Sequence, residues 1–280
     1  MTHSVPGTQA QTPAPDATAT YVFAVCRGTR AINTADLTAL PGMPGGGQVR
    51  LLASGTLTAV VQTVPAADFT DEVWQLRLSD REEIERYARA HHEAVSAAAA
   101  RGPAVPLPLA TLYHDDERAR CVLGDEAARF HGALKRIAHH TEWGVKVYRP
   151  ATQPEQPVPE RAASAAAARQ GPPAPGAGLA YLNRRRGAHD RRERSREEAL
   201  KVAESVDAEL CNLAAESRRL RTHGAALTGE QRVHVLNATY LVAADRADEL
   251  RGLVGVLRER TGAQIELSGP WVPYSFVGGV

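Results

Sequence analysis

The sequence predicts an α+β protein of two domains, and three observations predict it. Strand-like β-branched and aromatic runs are interleaved with amphipathic helical stripes. Up to residue 113 they follow the order strand, helix, strand, strand, helix, strand, which is the split β-α-β, ferredoxin-like order (βαββαβ). Between residues 150 and 178 the composition shifts to proline, alanine and glycine, which reads as a disordered linker inside a second α+β domain. The expected layout is a disordered tail at 1–19, a first domain at 20–113 and a second domain at 114–280. The second domain carries a long helix, a β-α-β ending and an aromatic tail at 269–280.

Each element has its own warrant. Residues 1–19 are small, polar and proline-bearing, too poor in apolar surface to offset chain entropy. "YVFAVC", Tyr21 to Cys26, is a short apolar run bounded by "RGT" and reads as a buried strand. A weak helical segment around Asp36 to Leu40 leads into the glycine-rich turn "PGMPGGG", and "VRLLAS" and "LTAVVQTV" then flank Gly55 as a hairpin. The next helix opens with Ser79 or Asp80 as N-cap, with acidic residues in its first turn. Ile84, Tyr87, Ala88, His91 and Val95 form its apolar stripe. Gly102 and Pro103 end it, and "AVPLPLATLY" returns extended.

The second domain starts with a helix whose stripe is Phe130, Leu134 and Ile137, followed by the alternating strand "VKVYR". Beyond the linker, a helix from about Leu179 to Arg221 places Ala203, Val206, Leu210, Leu213 and Leu220 near a 3,4 spacing. "RVHVLNATYLVA" reads as a strand, Asp245 to Arg260 as a helix with Leu250, Leu253, Val254 and Leu257 on one face, and "QIELSG" as the closing strand.

Composition narrows the function. The 280-residue chain has 33 Lys and Arg against 32 Asp and Glu, a net charge of +1, so a general polyanion binder is disfavoured and any basic function is local. Cys26, Cys121 and Cys211 show no paired spacing, which suggests neither a disulfide framework nor a zinc site and fits a reducing cytoplasm. No run of about 18 apolar residues and no signal-like N-terminus is visible, so neither export nor a membrane span is expected.

Candidate chemistry is sparse. His91, His92 and Glu93, with His139 and His140, look like pieces of a metal site, but adjacent histidines point to different helix faces and no HExxH spacing exists. They read as structural or surface residues. Asp115, Asp116 and Glu117 read as helix-capping carboxylates rather than as cation ligands. "PGMPGGG" lacks the features of a phosphate loop and reads as a flexible turn, and no nucleophile elbow is present. No catalytic residue, cofactor or metal is expected. Two candidate interaction features remain. One is "NRRRGAHDRRERSREE", led by Arg184, Arg185 and Arg186, where seven arginines are interleaved with four acids; a salt-bridged helix start is favoured, with a nucleic-acid or regulatory binding module as the alternative. The other is "GPWVPYSF", where Pro270 and Pro273 stiffen a string carrying Trp271, Tyr274 and Phe276. Such a string loses little entropy on docking and reads either as a cap over the sheet edge left by "QIELSG" or as a segment that captures a partner.

Taken in order, "YVFAVCRG", "LPLATLYHDDE", "EWGVKVY", "AYLNRRR" and the closing "IELSGPWVPYSF" resemble the gas vesicle protein F/L family (GvpF/GvpL) over Tyr21 to Phe276. Pro108 stands where family members often carry a basic residue in a "PLRxxT" segment. The resemblance implies a non-enzymatic gas vesicle structural or assembly protein that contacts the small hydrophobic shell protein and other accessory proteins, in the cytoplasm and associated with the vesicle. It implies no cofactor. From composition, deleting residues 1–19 and 151–177 together is expected to leave the thermal midpoint within a few degrees, as a melting curve would report.

Overall fold

The computed structural model describes residues 17–28, 40–148, 177–221 and 234–278. They form an α+β structure with two sheets, in two compact units: Met1–Thr141 with Trp271–Val280, and Glu142–Pro270. The expected weak helix near Asp36 to Leu40 and the 150–178 linker fall almost wholly outside the described residues.

In the first unit, β1 (Thr18–Arg27), β2 (Arg50–Ser54), β3 (Leu57–Pro65) and β4 (Ala104–Pro106) are ordered β2-β3-β1-β4, and β5 (Leu112–Tyr113) also pairs with β1. Both β1 and β2 are antiparallel to β3, so they run parallel to each other with β3 between them. The tail expectation is corrected at its end, because Thr18 and Ala19 already pair with Pro65 and Val64, and Ala66 donates to the Ala17 carbonyl. A deletion meant to spare the fold therefore stops at residue 16.

Every residue of β1 from Thr20 to Cys26 is buried. That requires cover on both faces of the strand, since side chains alternate. Tyr21 and Phe23 pack with the helix α2 (Arg81–Ala99), which meets α1 (Asp71–Ser79) at Asp80; the Asp80 carboxylate accepts from the backbone N–H of Glu82 and Glu83. The other cover includes α4 (Ala127–Ile137), which touches β1 and β4, and α3 (Asp116–Asp125), which touches β2. The sequence places these two helices in the second domain. They belong to the first because their apolar residues Leu123, Phe130, Leu134 and Ile137 bury against the first unit.

The glycine-rich turn is a packed element. Gln62 accepts from the Met43 N–H at 2.6 Å and donates to the Gly47 carbonyl at 2.6 Å, with Met43 itself buried. Gly42, at φ +60, leaves no room for a Cβ, which would stand 2.7 Å from the Gln62 amide.

The second unit orders its sheet β7-β8-β6-β9, from β6 (His140–Tyr148, which begins at the junction), β7 (Glu216–Arg219), β8 (His234–Ala243) and β9 (Gln264–Trp271). Trp143, Val145 and Val147 of β6 and Leu236, Ala238, Tyr240 and Val242 of β8 point into one core, a period of two. Helix α5 (Ala177–Leu213) contributes Ala203, Val206, Leu210 and Leu213, and α6 (Ala247–Thr261) contributes Leu250, Val254 and Leu257. The expected continuation of the long helix to Arg221 is corrected. The helix stops at Leu213, Glu216 to Arg219 add an edge strand to β8, and Leu220 is exposed. The buried Asp207 of α5 explains the switch: it accepts from Tyr240 Oη at 2.5 Å and from Arg219 Nη2 at 2.6 Å, which fastens the polar strand to helix and sheet.

Leu210 is fully buried. Leu210→Asp is expected to destabilise the protein by several kcal/mol in a denaturant titration, on the order of 4 or more, because a desolvated carboxylate would replace an apolar side chain. An unchanged midpoint would place that face outside the core.

Candidate interaction surface

Two elements of the first unit build the surface. Helix α2 supplies an imidazole pair, His91 turned inward and His92 at the rim. The C-terminal segment 271–278 supplies the rings.

His91 is held from three sides. Its Nε2 lies 3.1 Å from the Leu107 carbonyl, which can only accept, so Nε2 carries the proton and Nδ1 accepts from the Tyr21 hydroxyl at 2.8 Å. The Tyr21 oxygen in turn accepts from the Ala110 N–H at 3.0 Å. Burial favours the neutral ring, and the His91 pKa falls to about 4. The same burial pushes the Tyr21 phenol well above the ordinary range, with a smaller contribution from nearby Tyr274. His91 is thus a core histidine whose two nitrogens are satisfied.

The terminal segment lies on this pair. The Tyr274 ring stacks on His92 at a centroid distance of 6.2 Å and meets His91 at 6.4 Å, and Trp271 meets His92 edge-on at 6.0 Å. Phe276 is fully buried, Pro273 and Val277 are buried, and Val272 packs against the first unit's core. Trp271 and Tyr274 remain 48% and 37% exposed. The three rings named from the sequence therefore divide: one is an anchor and two are presented outward. The capping expectation is corrected in its location, since the segment belongs to the first unit and seats on α2 rather than over the edge strand β9. Within β9 only a glycine fits at position 269, because a Cβ there would stand 2.9 Å from the Glu142 carbonyl oxygen.

The remaining candidates lie apart from this surface. Arg185 and Arg186 are exposed on α5 in the second unit, and Arg184 is in the same helix with its side chain outside the described residues. Asp115 caps α3 by accepting from the Arg118 N–H at 2.7 Å. Asp116 takes both Arg50 nitrogens at 2.8 and 2.9 Å and the Thr20 hydroxyl at 2.8 Å, and the Arg50 hydrogen bonds lower its pKa. His140 Nδ1 bonds back to the Ala138 carbonyl at 2.7 Å. Among the described residues, no group of three His, Cys, Asp or Glu side chains could hold a metal ion, and no helix is long and apolar enough to cross a membrane. Sequence reasoning missed His92 and Val272 as parts of the surface. The double histidine on an amphipathic helix was the available signal, since one ring of such a pair must face away from the core.

The family model described as "Gas vesicle synthesis protein GvpL/GvpF" matches residues 19–278. The chain is 38% identical over 234 residues to gas vesicle protein L of Streptomyces sp. (strain CB03234), covering 84% of this chain and 85% of that protein. Its fold is similar to crystal structures of two gas vesicle proteins GvpF. That from Anabaena sp. PCC7120 has a TM-score of 0.62 at 14% identity, over 94% of this chain and 97% of the other. That from Microcystis aeruginosa has a TM-score of 0.57 at 13% identity, over 92% and 98%.

The histidine makes a pH prediction. An unfolded histidine titrates near 6.5, so the neutral, buried His91 contributes stability that is complete above that value and is lost as pH falls toward the folded pKa of about 4. Between pH 7 and pH 5 the loss assignable to this ring is expected to be on the order of 2 kcal/mol. Chemical denaturation of the parent and of His91→Gln at both pH values isolates it; equal losses in the two proteins would assign the titration elsewhere.

Proposed function

We propose that this chain, which belongs to the gas vesicle synthesis protein GvpL/GvpF family, is a non-enzymatic assembly protein that binds the small hydrophobic shell protein and helps to nucleate or organise the shell. It works in the cytoplasm, at the growing vesicle and among other gas vesicle proteins. The observation that carries the reading is the division of labour in the terminal segment. Phe276, Val277 and Pro273 fix the backbone, so Trp271 and Tyr274 are held half-exposed at little further entropic cost. Large rings with a polar tip, ordered before binding, are the residues that dominate protein interfaces, and an apolar partner gives them the area to bury. Leu76 and Leu78 of α1 add exposed apolar surface on the same unit.

The test separates anchor from presented rings in the purified full chain. Trp271→Ala/Tyr274→Ala is expected to keep the thermal midpoint within a few degrees and to weaken binding to the shell protein by about 10-fold or more. Phe276→Ala is expected to cost about 3–5 kcal/mol of stability, as for other buried rings. If the double variant binds the shell protein as tightly as the parent, the surface is not the docking site.

A further inference from the structure

The long helix α5 (Ala177–Leu213) changes character along a single face. Leu213, Leu210, Val206, Ala203 and Ala199 follow an alternating 3,4 spacing, and all are buried against the second unit's sheet or at its margin. Continued toward the N-terminus at the same spacing, that ladder runs through Arg196, Arg192, His189 and Arg185. The change from apolar to basic falls beside a cleft of about 190 Å³ lined by Ser195, Glu198, Ala199 and Val202 of α5 with Tyr148 and Thr261, where the packed core gives out. Arg185, His189 and Arg196 are exposed. The four acids of the stretch, Asp190, Glu193, Glu197 and Glu198, all fall off the ladder.

We infer that this basic ladder, Arg185 to Arg196, is a docking face for an acidic protein segment. The ladder is about 17 Å long at 1.5 Å per residue, the reach of three to four turns of a partner helix or of a short extended strand. The guanidinium groups of Arg185 and Arg196, exposed at the two ends of the ladder, can each take a carboxylate in paired hydrogen bonds, which fixes register as well as charge. Charge complementarity selects a protein over a nucleic acid. A helix in a DNA major groove about 12 Å wide has phosphates along both flanks, and there Glu193 and Glu197 would meet them. A partner that lies along one face leaves Glu197 aside and meets only Glu193, a neighbour of His189 and Arg196, at its margin. The face is independent of the Trp271 and Tyr274 surface and stands or falls without it.

The full-length protein is titrated into a fluorescein-labelled 15-residue peptide of alternating Glu and Ala, and separately into a 15-base-pair DNA duplex, at 50 and 300 mM salt. The peptide is expected to bind measurably at the lower salt and to be released at the higher. Arg185→Ala/Arg196→Ala is expected to weaken that binding by 10-fold or more. The charge-matched pair Arg186→Ala/Arg194→Ala, off the ladder, should change it by less than 2-fold. Helical circular dichroism checks that both variants keep α5. No peptide binding, equal losses in the two variants, or tighter binding of the duplex than of the peptide would each overturn the proposal.

Discussion

The first unit depends on one buried imidazole. His91 donates to the Leu107 carbonyl, accepts from Tyr21 and supports the ring of Tyr274. Those three contacts join the central strand, the loop beyond β4, helix α2 and the chain's last segment. Left without partners inside an apolar core, an imidazole would cost a few kcal/mol, so its two hydrogen bonds specify where the strand and loop must lie. Its neighbour His92 is one residue on and therefore on another face, and it carries the outward half of the same arrangement. A core contact and a surface are thus set by adjacent positions on one helix.

The second unit has an equivalent fastening in Asp207. Its carboxylate is buried and takes Tyr240 from the sheet and Arg219 from the edge strand, so a segment of four polar residues can hold a place in the sheet. A desolvated carboxylate with fewer partners would be a liability; with two hydrogen bonds from Arg219 and one from Tyr240 it ties the polar strand to the long helix and the sheet.

What could be read from the sequence follows the reach of each physical cause. Helix α2 was legible because its cap and its stripe are local, and the strands β1, β3 and β8 because their apolar runs are long enough to be recognised alone. "ESRRLR" was not legible as strand, since nothing in its polarity distinguishes it from the end of an arginine-rich helix; its partner lies on another element. The assignment of α3 and α4 to the first unit was likewise hidden, because it follows from β1 needing cover on both faces. Of the interaction surface, the stiffness and ring content of the terminal segment were visible. That Phe276 turns inward while Trp271 and Tyr274 turn outward was not, because the sorting is done by α2, some 180 residues earlier in the chain.

The first unit takes its last piece, Trp271 to Val277, from beyond the entire second unit. On the ribosome this imposes an order. The sheet and helices up to Thr141 can assemble as they emerge, but the seat on His91 and His92 stays uncovered while residues 142–270 are made. At roughly 5–20 residues per second that is a wait on the order of ten seconds. During it, His91 and His92 lack the contacts that the rings of Trp271 and Tyr274 later make with them. The first unit is therefore completed only by residues made after the whole of the second unit, so its final packing follows the synthesis of its neighbour rather than preceding it.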